Sequence, residues 1–421
     1  MRYLIWLILG GGLILTACTQ KTASLEAGAW RFGLMLQEGV ELPFMSTLDQ
    51  IGDAYILTIH NDTEDIRVQE ITRWGDSIFI RMPVFDSEFQ GKITSSSSIE
   101  GVWRNYSRGA DYQIPFSATK GETLTRFVDS QSGASEIASI WQATFSKGTP
   151  DSVRAIGEFD QNASHLRGTF LTETGDYRFL EGIVDGDQVK LSCFDGAHAF
   201  LFTAQLNAQG ELNGTFLSGN HWEEPWTAYV DPNASLRPPE SLTFLKEGYD
   251  KLQFSFPDLE GKMVSLEDPR FRNKVVLVQI LGSWCPNCMD ETKLYAKWYD
   301  TYQDRGLEIV GLAYERASSM EQARHNVARM KSQLKARYPI LIASIDNDKV
   351  KAAETLPMLN HILSYPTSIY IDREGNIQKI HTGFYGPGTG NHYVRFLEEY
   401  TPFLENLLGQ KENSDFALLT P

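Results

Sequence analysis

Cysteine is scarce in this chain, with 4 among 421 residues. That excludes a small scaffold stapled by disulfides. Two of the four form a close pair, Cys285 and Cys288, and no second pair stands at finger-like spacing, so a structural zinc site would lack half its ligands. Positive charge is also in short supply: 38 Lys and Arg face 54 Asp and Glu, for a formal net charge of −16. This balance argues against nucleic acid as a partner and against a polybasic membrane patch. Helical periodicity is almost missing from Ala29 to Val230. The length fits two or three domains, each able to bury a core.

What is present centres on Trp284-Cys285-Pro286-Asn287-Cys288. An apolar run, Val275 to Leu281, reads as a strand, and a helix reads from the pair to about Arg305. Two cysteines one turn apart at a helix start make a redox pair. The thiolate is the reactive form, and unpaired N–H groups at a helix N-terminus stabilise it. Cys285, nearer that end and more exposed, is the attacking thiol. Cys288 resolves the mixed disulfide. A structural disulfide closing so short a loop would stabilise little.

The N-terminus sets an address. Arg2 is a positive n-region, and Tyr3 to Leu15 is apolar but short for a spanning helix. Leu15-Thr16-Ala17-Cys18 resembles the lipobox of bacterial lipoproteins. The resemblance implies a signal peptide over 1–17, lipidation at Cys18, a tether over 18–27 and a lipid-anchored place in the bacterial cell envelope. Thr19, where inner-membrane retention would often want an acidic residue, favours the outer membrane. An uncleaved signal anchor is the competing reading.

The first half reads as antiparallel β structure. Short alternating runs such as Tyr55-Ile56-Leu57-Thr58-Ile59 are broken by turn signals such as Gly75-Asp76 and Asp185-Gly186-Asp187. The pattern also repeats. Gly75-Asp76-Ser77-Ile78-Phe79-Ile80 aligns with Gly186-Asp187-Gln188-Val189-Lys190-Leu191, and Ile99-Glu100-Gly101-Val102-Trp103 aligns with Leu212-Asn213-Gly214-Thr215-Phe216. The offset stays near 110 residues, which suits two duplicated β units, 28–120 and 135–230, of sandwich or barrel type. His198, His221-Trp222 and Pro225-Trp226 could line a ligand pocket or simply pack. Cys193 reads as a small buried apolar residue. Pro232, Pro238 and Pro239 mark a linker over 231–248.

From 249 to 410 strands and helices alternate and end in a hairpin around Asp372-Arg373-Glu374-Gly375, a mixed α/β pattern. A tail covers 411–421. With Trp284-Cys285-Pro286-Asn287-Cys288, Tyr365-Pro366-Thr367 and the Tyr370-to-Ile377 strand-turn-strand in view, this half resembles the thioredoxin superfamily, and within it the TlpA/ResA-like membrane-anchored thiol-disulfide oxidoreductases. The resemblance implies a cis Pro366 facing the pair. It also implies a substrate-binding role for Trp284, Pro286, Tyr365, Pro366 and Thr367, and a proton-handling role for Glu291 near the sulfurs. It calls for no cofactor and no metal. Its implied partners are a protein disulfide substrate and a membrane-embedded thiol-disulfide electron donor. Two departures stand out. Gln279 occupies the place of thioredoxin's buried Asp, and Lys293 stands where the family often has Pro. A peroxidase of the peroxiredoxin kind is disfavoured by Gly282, where a Thr is needed. The remaining alternative is a ligand- or partner-binding lipoprotein whose β half is the main module.

Overall fold

The structure, a computed structural model, describes residues 24–130 and 133–409. The signal peptide, Cys18 and the tail lie outside the described residues. The first β unit is a meander of nine strands: β1 (Gly28–Gln37), β2 (Val40–Ile51), β3 (Ala54–Asn61), β4 (Glu64–Val68), β5 (Glu70–Trp74), β6 (Ser77–Arg81), β7 (Ser87–Ser95), β8 (Ser98–Asn105) and β9 (Gln113–Lys120). Its first and last strands pair, giving the order β4-β3-β2-β1-β9-β8-β7-β6-β5. The second unit runs β10 (Ile140–Phe145), β11 (Val153–Asn162), β12 (His165–Thr172), β13 (Gly175–Asp176), β14 (Leu180–Asp185), β15 (Gln188–Phe194), β16 (Ala199–Leu206), β17 (Leu212–Ser218) and β18 (Trp222–Val230). Here β10 pairs with β18 and β11 also pairs with β12, so the sheet closes into a barrel.

The repeat seen in the sequence is a repeat of topology. Gly75 and Gly186 both sit at positive φ, 61° and 62°, in the hairpin turns entering β6 and β15. At Gly101 in β8 and Gly214 in β17 an added Cβ would lie 2.1 Å from a neighbouring strand's carbonyl oxygen, that of Gln90 and of Thr203 respectively. Alternating side chains fill both interiors with aromatics. In the first unit Phe32 stacks on Phe44 and Phe116 at 5.1 and 5.9 Å. In the second Phe202 stacks on Phe216 at 4.4 Å. Cys193 is fully buried in this second core, on β15 opposite Phe200 of β16. Trp222 is 49% exposed, and His221 meets Tyr112 Oη at 3.1 Å. That aromatic cluster is therefore split between core and surface: Trp226 is buried and Trp222 is not. His198 pairs with Asp195 instead.

The 231–248 stretch ends by joining the last part of the chain. Phe244 N donates to Asn360 Oδ1 at 2.9 Å, and Leu245 bridges to Leu359. A short hairpin follows, β19 (Ser255–Pro257) and β20 (Met263–Ser265). Next comes a five-stranded mixed sheet. Its strands are β21 (Val275–Leu281), β22 (Leu307–Tyr314), β23 (Ile340–Ser344), β24 (Thr367–Ile371) and β25 (Ile377–Thr382), in the order β23-β22-β21-β24-β25. Strands β21 to β23 are parallel, and β24 and β25 antiparallel. Every residue of β21 is buried, as a central strand that is apolar apart from Gln279 requires. The helices are α1 (Pro286–Tyr302), α2 (Met320–Gln333), α3 (Lys349–Thr355) and α4 (Asn391–Gly409). Trp298 of α1 stacks on Phe396 of α4 at 6.4 Å. Helix α3 is shorter than the stretch 347–360 that the sequence suggests. Leu356 leaves helical dihedrals, because the following Pro357 disfavours the α region before it and has no N–H to donate. No helix among the described residues is long and apolar enough to cross a membrane.

Candidate active site

Helix α1 starts at its cysteine. Cys285 is the N-cap, with extended dihedrals, and Pro286 is the first helical residue, where a missing N–H costs nothing. The cap is made by sulfur: Cys288 N donates to Cys285 Sγ at 3.2 Å. An orphan donor at a helix N-terminus therefore points at the atom that must carry negative charge. Across the cleft, Cys285 Sγ lies 3.4 Å from the carbonyl oxygen of Tyr365, whose bond to Pro366 is cis. The sequence segments 284–288 and 365–367 thus meet. Cys285 is 6% exposed and Cys288 is fully buried. Burial, together with the neighbouring Cys285, pushes the Cys288 thiol well above its ordinary pKa.

Beneath the pair lies a buried polar network. Glu291, one helical turn after Cys288, accepts from Gln279 Nε2 at 2.8 Å, Ser368 Oγ at 2.9 Å and Tyr295 Oη at 3.0 Å. Gln279 Oε1 in turn accepts from Thr292. Burial raises the Glu291 carboxyl to about 7, outweighing these three donors. Gln279 is thus the donor that orients Glu291. Lys293, the other departure, leaves α1 unbroken and reaches Asp290 at 3.1 Å.

Several neighbours carried no signal in the sequence. Glu315, at the end of β22, is fully buried and accepts from both the N–H and the hydroxyl of Ser283, which fixes the chain just before Trp284. Burial raises it to about 7 as well. Trp284 donates to Tyr314 O at 2.9 Å, meets Tyr365 edge-on at 5.6 Å, and carries the Arg316 guanidinium 3.7 Å from its ring centroid. The β half contributes too. Arg178, 1% exposed, pairs with Asp290 of α1, Glu64 of the first unit and Asp195 of the second. Only position in the fold, never local pattern, unites these four residues. Among the described residues no group of three or more His, Cys, Asp or Glu is placed to hold a metal. What the arrangement can do is exchange disulfides: a capped sulfur in front, a buried sulfur behind, and a carboxyl able to take or give a proton near neutrality.

Comparison with known proteins places this half. The AhpC/TSA family matches residues 248–380. The thioredoxin-like protein YneN of Bacillus subtilis (strain 168) is 30% identical over 139 residues, which are 33% of this chain and 73% of that protein. The thiol-disulfide oxidoreductase ResA of Bacillus thuringiensis subsp. konkukian (strain 97-27) is 29% identical over 156 residues, 37% of this chain and 79% of ResA. Among solved structures, a thiol-disulfide oxidoreductase from Bacteroides fragilis NCTC 9343 aligns over 35% of this chain and all of its own, at 17% identity and a TM-score of 0.27. With the Cys pair at a helix start, the cis proline opposite it and the matches to YneN and ResA, the chain belongs to the thioredoxin-like thiol-disulfide oxidoreductases of the ResA and TlpA kind.

Proposed function

We propose that this oxidoreductase acts as a reductase of protein disulfides, with named roles for its residues. The Cys285 thiolate attacks one sulfur of the substrate. The substrate S–S bond breaks, and its other sulfur leaves as a thiolate that takes up a proton. Cys288, deprotonated as Glu291 accepts its proton, attacks Cys285 Sγ and releases the second substrate sulfur. Two electrons and two protons pass to the substrate, and the pair is left as a disulfide. Tyr365, Pro366, Thr367, Trp284 and Pro286 line the groove that receives the substrate chain. The observation that carries this reading is Cys285 Sγ, held between the Cys288 N–H and the Tyr365 carbonyl.

The same reading divides the chain into β units over 28–120 and 135–230 and a thioredoxin-like unit over 249–410. It anchors the protein in the cell envelope through lipid on Cys18, on the strength of the Leu15-to-Cys18 motif, with outer-membrane placement favoured by Thr19. In that oxidising setting the spent pair is reset by a membrane-embedded thiol-disulfide donor.

Trapping tests the roles. In Cys288→Ala the mixed disulfide on Cys285 persists and can be identified by mass spectrometry, while Cys285→Ser reduces nothing; turnover retained in Cys285→Ser would remove that residue from its role. A reduction potential near about −120 mV, the range of strong oxidants, would reverse the direction.

A further inference from the structure

The redox motif of this chain is covered by its own β half. Pro286 is buried and Asn287 half-buried. The cover is the turn Glu173–Asp176 in the second unit, made of the two residues that follow β12 and the two of β13. It touches three segments around Cys285. On α1, Asn287 Nδ2 lies 3.4 Å from Asp176 O, and a Cβ on Gly175 would fall 2.1 Å from that same nitrogen. Beside the cis proline, Ser364 Oγ donates to Thr174 O at 2.7 Å. After β25, a Cβ on Gly383 would sit 3.0 Å from the Thr174 carbonyl carbon, and Gly386 N donates to Asp176 Oδ2 at 2.7 Å. Gly383, at φ 79°, brings its backbone against that of Thr174, and Gly175, at φ 141°, leaves room for the Asn287 amide.

The turn is also braced from behind. Tyr385 Oη donates to Thr172 O at 2.9 Å, and Arg237 makes a forked pair with Glu173. Arg178, two residues beyond the turn, is tied to Asp290 on the catalytic helix. From the first unit, Val84 and Phe85 join the apolar cluster that holds both redox cysteines. The side of the groove between Asn287 and Gly383 is therefore filled. The half-buried neighbour of Cys285 left clear of the turn is Trp284, with Arg316 upon it.

We propose that the Glu173–Asp176 turn is a specificity element of the disulfide exchange, a step that rests on the oxidoreductase reading above. An attacking sulfur must come within about 3–3.5 Å of its target along a defined line. A disulfide on a slim peptide segment can reach Cys285 over Trp284. A disulfide on a compact globular surface meets the turn first. The substrate class is thus cystine in extended or unfolded chain.

Two readouts test this on the full chain. The first is alkylation of Cys285 in the reduced protein by iodoacetamide and by a polyethylene-glycol maleimide of ~5 kDa, larger than a drug-sized ligand, located by mass spectrometry. Relative to an unstructured cysteine peptide, the large reagent is slowed at least about tenfold and the small one is not. The second readout is kcat/KM for one disulfide in two settings, within a compact protein and within the peptide excised from it. Removing Thr174 and Gly175, or the milder pair Tyr385→Phe and Arg237→Ala, relieves the large-reagent penalty and raises the compact-to-peptide ratio at least about threefold. Iodoacetamide labelling and the melting temperature, held near those of the parent, show that the variant is folded. Labelling of Cys285 that is indifferent to reagent size, or unchanged ratios in both folded variants, overturns the specificity role alone. Loss of all Cys285-dependent reduction of either substrate by the parent overturns the oxidoreductase reading and the role together.

Discussion

Glu291 shows how one residue can link stability to chemistry. Its carboxyl titrates near 7 because it is buried, against an ordinary value of 4.5. The folded state thus holds this proton more tightly than the unfolded state. Its stabilising contribution is complete below about 4.5 and is lost as pH rises through about 7. The shift corresponds to roughly 3 kcal/mol at about 1.4 kcal/mol per unit. Thermal unfolding at pH 5 and pH 8 checks this: Glu291→Gln should show a smaller loss of stability across that interval than the parent. The same substitution should remove an inflection near neutrality from the pH profile of kcat/KM. Gln279 illustrates the limit of residue-by-residue reading. In sequence it registers as a missing aspartate, yet in space it is the amide that holds Glu291 in place.

At the scale of elements, the chain is most legible where one periodicity dominates. Strand β21 is an apolar run because both its faces are covered, and the redox helix follows it as the motif requires. The two β units are legible through turns and repeat rather than through any one strand. Gly101 and Gly214 were visible only as aligned letters, and their cause is contact between backbones. Gly214→Ala should force β17 from the Thr203 carbonyl and lower the free energy of unfolding by about 1–3 kcal/mol, read from the urea midpoint. Gly210→Ala, in a turn where no atom stands within 4 Å of the new Cβ, should cost less despite its positive φ. The stretch 347–360 reads as a longer helix than α3 because it contains helix-formers, and the stop comes from the backbone preference imposed by Pro357. Glu315 and Arg316 were missed because nothing about the end of β22 announces that it abuts the turn before Trp284.

At the scale of the molecule, the joint between the halves was the least legible part. Arg178 is an ordinary letter between Tyr177 and Phe179, and two of its partners, Glu64 and Asp290, lie more than a hundred residues away on two other units. Burial raises Glu64 even with Arg178 beside it. Burial would also raise Asp195, but His198 and Arg178 outweigh it and hold that group to about 2. Removing the guanidinium leaves several carboxylates in a dry site. Arg178→Ala should therefore cost about 3–5 kcal/mol. Because the pairs are buried, that loss should persist in about 1 M salt, where surface pairs are screened within a few ångströms. A loss that vanishes with salt would place the cluster in contact with water.

The two β units close differently, and this has a consequence for their separate fates. The second joins β11 to β12 and leaves no hem. The first ends at β4 and β5, whose outer backbone groups have no strand partner among the described residues. Those hems carry charge of both signs, and two of the acids, Glu64 and Glu70, are claimed by Arg178 and Arg329 of the other units. Cut free by a protease, the first copy would present two raw selvedges to its own kind and should polymerise, while the second should stay in solution as single molecules.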